Sequence, residues 1–175
     1  MNLKIYPQLK LQLLVGFTAL LSTIHVWAIE EVGYQDWAVQ LGADTSEAYV
    51  RNKDNSSLGF FCKDEKCVYY LNLNLACPPG AKNPILINSD TVTAASMVTC
   101  SHLGGRSFQI FDDPEVINKA VKVGNQIGFS TALQGGTFLV TQFSLNDSQR
   151  AVERAVLEAK QKKRPQSFEA AKGVI

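Results

Sequence analysis

Alternation of apolar and polar residues dominates the chain between Tyr34 and Leu145 and predicts β-strands. In the segment 34–41, Trp37, Val39 and Leu41 fall on one side of an extended chain, which is typical of a half-buried strand. A short strand is also predicted at 48–50. Further strands are predicted at 58–62, 67–75, 85–87, 91–99, 107–111, 126–133 and 137–145. Gly135 and Gly136 lie between the last two and indicate a hairpin turn.

The apolar spacing changes to that of a helix at two places. Asp112 or Asp113 caps the first helix, Pro114 occupies its first turn and Gly124 ends it. The second helix begins at 146–148 and carries a narrow stripe of small side chains: Ala151, Val152, Ala155, Val156 and Ala159. The predicted fold class is therefore all-β to α+β, an antiparallel β-sandwich or barrel-like domain with one inserted helix and a C-terminal helix.

The first 28 residues follow a different pattern. Lys4 and Lys10 precede an uncharged apolar run of about 14 residues, and Val26 and Ala28 suit a cleavage site. The run is shorter than the roughly 20 residues that span a membrane. These features predict a secretory signal peptide over residues 1–28 and cleavage after Ala28; an uncleaved N-terminal anchor is the alternative. The mature chain would be periplasmic or secreted.

Removal of the signal peptide shows that charge is unevenly distributed. The whole chain has a net charge of +1, which argues against a nucleic-acid partner. Residues 29–149 carry 8 basic and 13 acidic side chains, whereas residues 150–175 carry 7 basic and 3 acidic ones. We therefore divide the mature chain into a β domain (29–149) and a basic C-terminal helix and tail (150–175). The tail contains the basic residues Lys160, Lys162, Lys163 and Arg164. Such a cluster is either a solvated helix end or an electrostatic contact with an acidic partner or an anionic membrane face.

The four cysteines all lie in the mature chain. An even number in an exported protein indicates two disulfides, for which three pairings exist. We favour Cys62–Cys67, since this spacing suits a hairpin end, together with Cys77–Cys100. Two alternatives are disfavoured: a zinc site, because no Cys-x-x-Cys pair occurs, and a thiol nucleophile formed by Cys100 and His102. No metal or cofactor is expected.

Three carboxylates, Asp112, Asp113 and Glu115, cluster at the start of the first helix. Helix capping explains them, since acidic side chains accept hydrogen bonds from free amides there. The alternative is an acidic site around Asp112 and Asp113 in a small secreted hydrolase or an enzyme inhibitor.

Two pairs of adjacent aromatic residues provide the best indication of a binding surface. Phe60 with Phe61, and Tyr69 with Tyr70, each place one ring on either face of a strand. Unless both faces of the sheet are covered, one ring of each pair is exposed.

The order of these elements resembles a known family. The chain is similar to the invasion-associated locus B proteins of Gram-negative bacteria in four features. These are the strand containing Asp36, Trp37 and Val39, the central cysteines, the helix at 117–123, and the closing strand 138–145 before a helix with Ala151. The resemblance covers roughly residues 34–156. It implies a small β protein of the envelope, possessing no assigned catalytic residues.

These features together predict a non-enzymatic, exported protein-binding module of the bacterial envelope, linked to host interaction or virulence. Its partner would be an envelope or host protein.

Overall fold

The computed structural model describes residues 29–64, 66–133 and 135–162. The predicted signal peptide lies outside these residues. Within them, twelve elements follow one another: β1 (Glu30–Tyr34), β2 (Trp37–Leu41), β3 (Thr45–Arg51), β4 (Ser57–Lys63), β5 (Lys66–Asn72), β6 (Lys82–Ser89), β7 (Thr93–Leu103), β8 (Arg106–Phe111), α1 (Glu115–Val123), β9 (Gln126–Ala132), β10 (Phe138–Ser144) and α2 (Ser148–Lys162). No helix among the described residues has both the length and the apolar character needed to cross a membrane.

All ten strands belong to one antiparallel sheet in the order β1-β2-β3-β4-β5-β8-β7-β6-β9-β10, which curls into a half-barrel. The two ends of the sheet approach each other through side chains. Trp37 Nε1 donates to the carbonyl oxygen of Ser144 at 3.0 Å, and Ser144 Oγ donates to Asp36 Oδ2 at 2.6 Å. Asn146 Nδ2 donates to the same carboxylate at 2.9 Å. The predicted barrel-like fold class is confirmed.

The concave face of the half-barrel holds the core. Trp37, Val39 and Leu41 are buried there, as their alternation predicts. Residues 34–41 are not one strand, however, because β1 pairs with β2 across a two-residue turn at Gln35 and Asp36. Gln35 has a φ of 47°, and β1 has only two partly buried positions, Val32 and Tyr34, an alternation too short to predict the strand.

Three other predicted boundaries change. The short strand at 48–50 extends to Thr45–Arg51, and the strand at 91–99 extends to Leu103. Residues 73–75, by contrast, leave the sheet after Asn72. Asn74 has a φ of 56°, a left-handed conformation that ends a strand. The helix α1 begins at Glu115, and its N-cap is Pro114 and not one of the aspartates predicted to cap it. Asp113 nevertheless accepts a hydrogen bond from the Glu115 amide at 3.0 Å.

Small side chains allow α2 to pack closely against β2, β3 and β4. Ala151, Ala155 and Ala159 are buried in the same core cluster as the strands. Ser46 Oγ donates to the carbonyl oxygen of Ala155 at 2.6 Å. The predicted division at residue 149 therefore lies inside a continuous core.

Candidate functional site

The two aromatic pairs are divided between the faces of the sheet. Phe60 and Tyr69 point inward and stack in the core, with ring centroids 4.6 Å apart. Tyr70 lies on the outer face but is only 5% exposed, and Phe61 is partly buried. The expectation that one ring of each pair is exposed is wrong for Tyr69 and Tyr70, which are both buried, whereas Phe61 is partly exposed.

The core tyrosine supports the inserted helix. Tyr69 Oη donates to Asn118 Oδ1 of α1 at 2.9 Å. Burial, and to a smaller extent the charge of Glu115, raises the pKa of the Tyr69 hydroxyl. The hydroxyl is therefore protonated at any physiological pH and serves as a hydrogen-bond donor.

A groove of about 610 Å³ lies on the outer face of β2 to β5 and β8. We call it the Tyr70 groove. Its lining residues are Gln40, Glu47, Tyr49, Arg51, Asn55, Ser57, Tyr70, Asn72, Asn74, Leu75, Ala76, Gly105, Arg106, Ser107 and Phe108. Polar side chains predominate among them.

The groove follows β4 because this strand has small residues on its outer face. Arg51 pairs with Ser57, and Ser57 pairs with Asn72, so small Ser57 lies between larger neighbours. Gly59 lies between Tyr49 and Tyr70 in the next outward row. The Tyr70 ring covers Gly59 and contacts Phe108 edge to face, with ring centroids 5.2 Å apart. These aromatic rings form a rigid floor.

Two tyrosine–glutamate hydrogen bonds define one end of the groove. Tyr70 Oη donates to Glu47 Oε1, and Tyr49 Oη donates to Glu31 Oε2 at 2.9 Å. Gln40 Nε2 also donates to Glu31 at 2.9 Å. Hydrogen bonds from Gln40 and then Tyr49 lower the pKa of Glu31. Burial, followed by the charge of Glu47, raises the pKa of Tyr70. Both tyrosines thus remain neutral donors to the two carboxylates.

Two arginines also line the groove. The guanidinium of Arg51 stacks over the Tyr49 ring, 4.8 Å from its centroid, which fixes the plane of the charged group. Arg106 is exposed at the start of β8. Among the described residues, neither arginine takes part in an ion pair. Their N–H groups are therefore open to a ligand.

The structure does not bring Asp112 and Asp113 together in the predicted acidic site. Asp112 accepts hydrogen bonds from Lys82 Nζ at 2.8 Å and Thr99 Oγ1 at 2.6 Å. Lys82, followed by Thr99, lowers the pKa of Asp112, which does not suit a proton donor. Asp113 instead bonds the amide of Glu115. Neither aspartate lines the Tyr70 groove.

Both favoured cysteine pairs are disulfides. Cys62 and Cys67 face each other across β4 and β5, with Cα atoms 4.1 Å apart, and Cys77 and Cys100 join with Cα atoms 6.1 Å apart. His102 Nε2 lies 2.7 Å from the carbonyl oxygen of Cys77. The donor atoms of Cys77, Cys100 and His102 are within 4.8 Å of one another, but the two sulfurs are bonded together, so neither is a thiolate ligand or nucleophile.

The basic tail is only partly described. Lys160 is exposed, while Lys162 Nζ donates to the carbonyl oxygens of Gly42 and Thr45, the latter at 2.7 Å. Lys162 thus holds the β2–β3 turn and is not available as a free surface charge. Lys163 and Arg164 lie outside the described residues.

The groove residues that sequence reasoning missed include the two arginines, Glu47 and Gly59. A glycine inside a strand often marks the close approach of another group, and this signal could have singled out Gly59. The arginines had no comparable signal, since Arg51 and Arg106 are 55 positions apart in the sequence.

The sequence matches no family model and no curated protein. The fold is similar to that of invasion associated protein B from Bartonella henselae, whose crystal structure superposes with a TM-score of 0.54 at 14% sequence identity. The similarity covers 75% of this chain and 99% of that chain. It confirms the predicted resemblance at the level of the fold, and the two disulfides are consistent with an exported protein.

Proposed function

We propose that this chain is an exported, non-enzymatic binding module of the bacterial cell envelope that takes a segment of an envelope or host protein in the Tyr70 groove. Export is supported by the predicted signal peptide and by two disulfides, which persist in oxidising compartments. A role at the envelope is further supported by the likeness to an invasion associated protein.

The observation that carries the proposal is the construction of the groove. Its floor is fixed by Tyr70 against Gly59 and by Tyr–Glu hydrogen bonds, while Arg51 and Arg106 offer unused donors at its rim. A concave site with a rigid aromatic floor and few charged groups binds with little loss of side-chain freedom. The lining therefore suits recognition of a polar chain segment.

The test is a peptide-display selection against the mature protein, residues 29–175. Ala76 is exposed and lines the groove, so Ala76→Trp should obstruct it. We expect the selected peptides to lose binding to Ala76→Trp and to keep binding to Ala43→Trp, the same substitution at an exposed alanine in the β2–β3 turn. If no selected peptide distinguishes the two variants, the groove is not a protein-binding site.

Export is tested separately by recovering the protein from the periplasm and the medium. We expect an N-terminus at Ile29, since cleavage follows Ala28. A protein that retains residues 1–28 at the membrane would instead support the anchor. The peripheral membrane contact is checked with anionic lipid vesicles and a variant that lacks residues 163–175.

A further inference from the structure

We propose that two copies of the mature chain associate as a two-fold dimer through an apolar patch on the outer face of β6, β7, β9 and β10. The patch consists of two neighbouring rows of outward side chains across these strands, and its largest members are Leu86, Met97, Phe138 and Val140. None of these side chains lines the Tyr70 groove. The inference therefore goes beyond the proposed function and does not depend on it.

The first row is set by the strand register. Leu86 of β6 pairs with Ala95 of β7 on one side and with Ser130 of β9 on the other, and Ser130 pairs in turn with Val140 of β10. The neighbouring residue Ile85 is 1% exposed and belongs to the core, so the residues of this row point to the opposite, outer face. The row crosses all four strands.

The second row lies beside the first. Met97 of β7 pairs with Pro84 of β6, and Ala132 of β9 pairs with Phe138 of β10. Pro84 and Ala132 are each one position beyond the last pair of the β6–β9 register, so the two pairs adjoin. All four residues of this row are exposed. The two rows together form one continuous apolar surface.

No charged side chain interrupts this surface among the described residues. The row on the other side of Leu86 is polar but neutral, since Thr93 pairs with Asn88, Asn88 with Gly128, and Gly128 with Gln142. A two-fold contact sets the same surface against itself, so a charge near the axis would meet its own copy. A neutral face avoids this repulsion, whereas it offers nothing to a partner that is recognised by charge.

The size of the patch suits a dimer. Leu86, Met97, Phe138 and Val140 are 54%, 39%, 62% and 65% exposed, which corresponds to about 400 Å² of accessible surface. The smaller side chains of the two rows and part of the neutral row bring this to about 600 Å². Two copies would then bury about 1,200 Å², the area at which specific interfaces begin. Outer faces of sheets pack through such apolar rows at a spacing of about 10 Å.

An anionic membrane surface is a poorer occupant. Contact with such a surface requires free basic side chains beside the apolar residues. Lys82 follows the patch along β6, but its ammonium group donates to Asp112 at 2.8 Å. The chemistry of the patch therefore favours a second copy of this chain.

The test is the mass of the purified mature protein, residues 29–175, measured by light scattering over concentration. We expect it to rise from that of one chain towards that of two between about 1 and 100 μM. Val140→Arg should weaken association at least tenfold, because it buries a charge against its own copy. Val123→Arg is the matched control, since Val123 of α1 is 66% exposed and lies outside the patch, and it should associate as the wild type does.

A cross-linking measurement keeps the test independent of folding defects. Ser130 lies between Leu86 and Val140, so Ser130→Cys should join two chains through a bismaleimide whose spacer is about 10 Å long. Lys119→Cys, at an exposed position of α1, should give no such product. Unchanged urea midpoints would show that both arginine variants remain folded.

Each remaining outcome overturns the proposal. A wild type that stays monomeric at 100 μM lacks the dimer. A dimer that survives Val140→Arg, or that Ser130→Cys does not cross-link, uses another surface. A monomer that binds vesicles of phosphatidylcholine and phosphatidylglycerol, and loses this binding in Val140→Arg, would assign the patch to lipid. Peptide binding in the Tyr70 groove is unaffected by any of these results, so the proposed function is judged separately.

Discussion

The ring of Tyr70 lies directly on the backbone of Gly59, its partner across β4 and β5. A Cβ atom at Gly59 would overlap the Cζ and Cε1 atoms of this ring, far inside van der Waals contact. Gly59→Ala must therefore displace Tyr70 and disturb its hydrogen bond to Glu47. We expect a loss of about 2 kcal/mol in the free energy of unfolding, measured by urea denaturation.

Gly33→Ala is the matched control for this prediction. Gly33 also lies in a strand, but no atom lies within 4 Å of the position that a Cβ atom would take there. Alanine at Gly33 should leave stability unchanged or slightly increased. Equal effects of the two substitutions would show that the Tyr70 ring does not depend on Gly59.

The Cys77–Cys100 disulfide fixes the loop that forms one wall of the groove. The amide of Gly80 donates to the carbonyl oxygen of Cys100, and the amide of Cys100 donates to the carbonyl oxygen of Ala81, both at 2.8 Å. These backbone hydrogen bonds hold the same loop next to the disulfide. The double variant Cys77→Ala/Cys100→Ala should lose about 3 kcal/mol of stability, because the disulfide closes a loop with a separation of 23 residues. Residues 73–81 should exchange their amide hydrogens faster, as followed by mass spectrometry.

The double variant Cys62→Ala/Cys67→Ala provides the comparison. That disulfide joins directly paired residues of β4 and β5, which remain neighbours through the strand hydrogen bonds. Hydrogen exchange of 73–81 should stay at the wild-type rate. Faster exchange there in both double variants would contradict a local role for Cys77–Cys100.

Asp36 makes the closure of the half-barrel sensitive to acid. Hydrogen bonds from Ser144 and then Asn146 lower the pKa of Asp36 in the folded protein. Because the folded pKa lies below the unfolded value of about 4, the stabilisation is complete above that pH and is lost as the pH falls through the folded pKa. We expect the urea concentration at the unfolding midpoint to decrease as the pH is lowered from about 5 to about 2.

In Asp36→Asn the urea midpoint should decrease less over the same pH range, because the carboxyl group of Asp36 no longer titrates. Asp54→Asn is the control, since the Asp54 side chain accepts no hydrogen bond from a described residue, and it should retain the wild-type pH dependence. Parallel pH profiles for the wild type and Asp36→Asn would argue against this role of Asp36.

Close packing of α2 depends on its alanines. Ala155 is fully buried, and its carbonyl oxygen accepts from Ser46 Oγ. Ala155→Leu has no space for the added atoms and should cost about 3 kcal/mol in thermal or urea unfolding. Gln161→Leu adds the same side chain at an exposed position of α2 and should change stability little. Similar losses for both would contradict a packing origin of the effect.

Local patterns in the sequence are sufficient to predict most elements of the fold. The alternation of Trp37, Val39 and Leu41 predicts both a strand and its buried face, and the spacing around Ile117 predicts α1. No such pattern predicts β1, because only Val32 and Tyr34 alternate on one face and the other residues of the strand are exposed. The pairing of Cys62 with Cys67 follows from the hairpin alone.

The candidate site could not be predicted in the same way. Alternation places Phe60 and Phe61 on opposite faces of β4, and Phe60 shares the core face with Leu58 and Cys62, but it does not reveal that Tyr70 is buried on the outer face. The groove further requires β8 to lie beside β5, although β6 and β7 intervene in the sequence. This order of strands places Arg51 and Arg106 in the lining of the same groove.

The position of α2 at the end of the chain has a consequence for synthesis. The inward faces of β2, β3 and β4 pack against α2, a helix that ends at Lys162. During translation these strands emerge early, and they lack this contact until α2 has left the ribosome. A nascent chain therefore completes this part of its core late in synthesis.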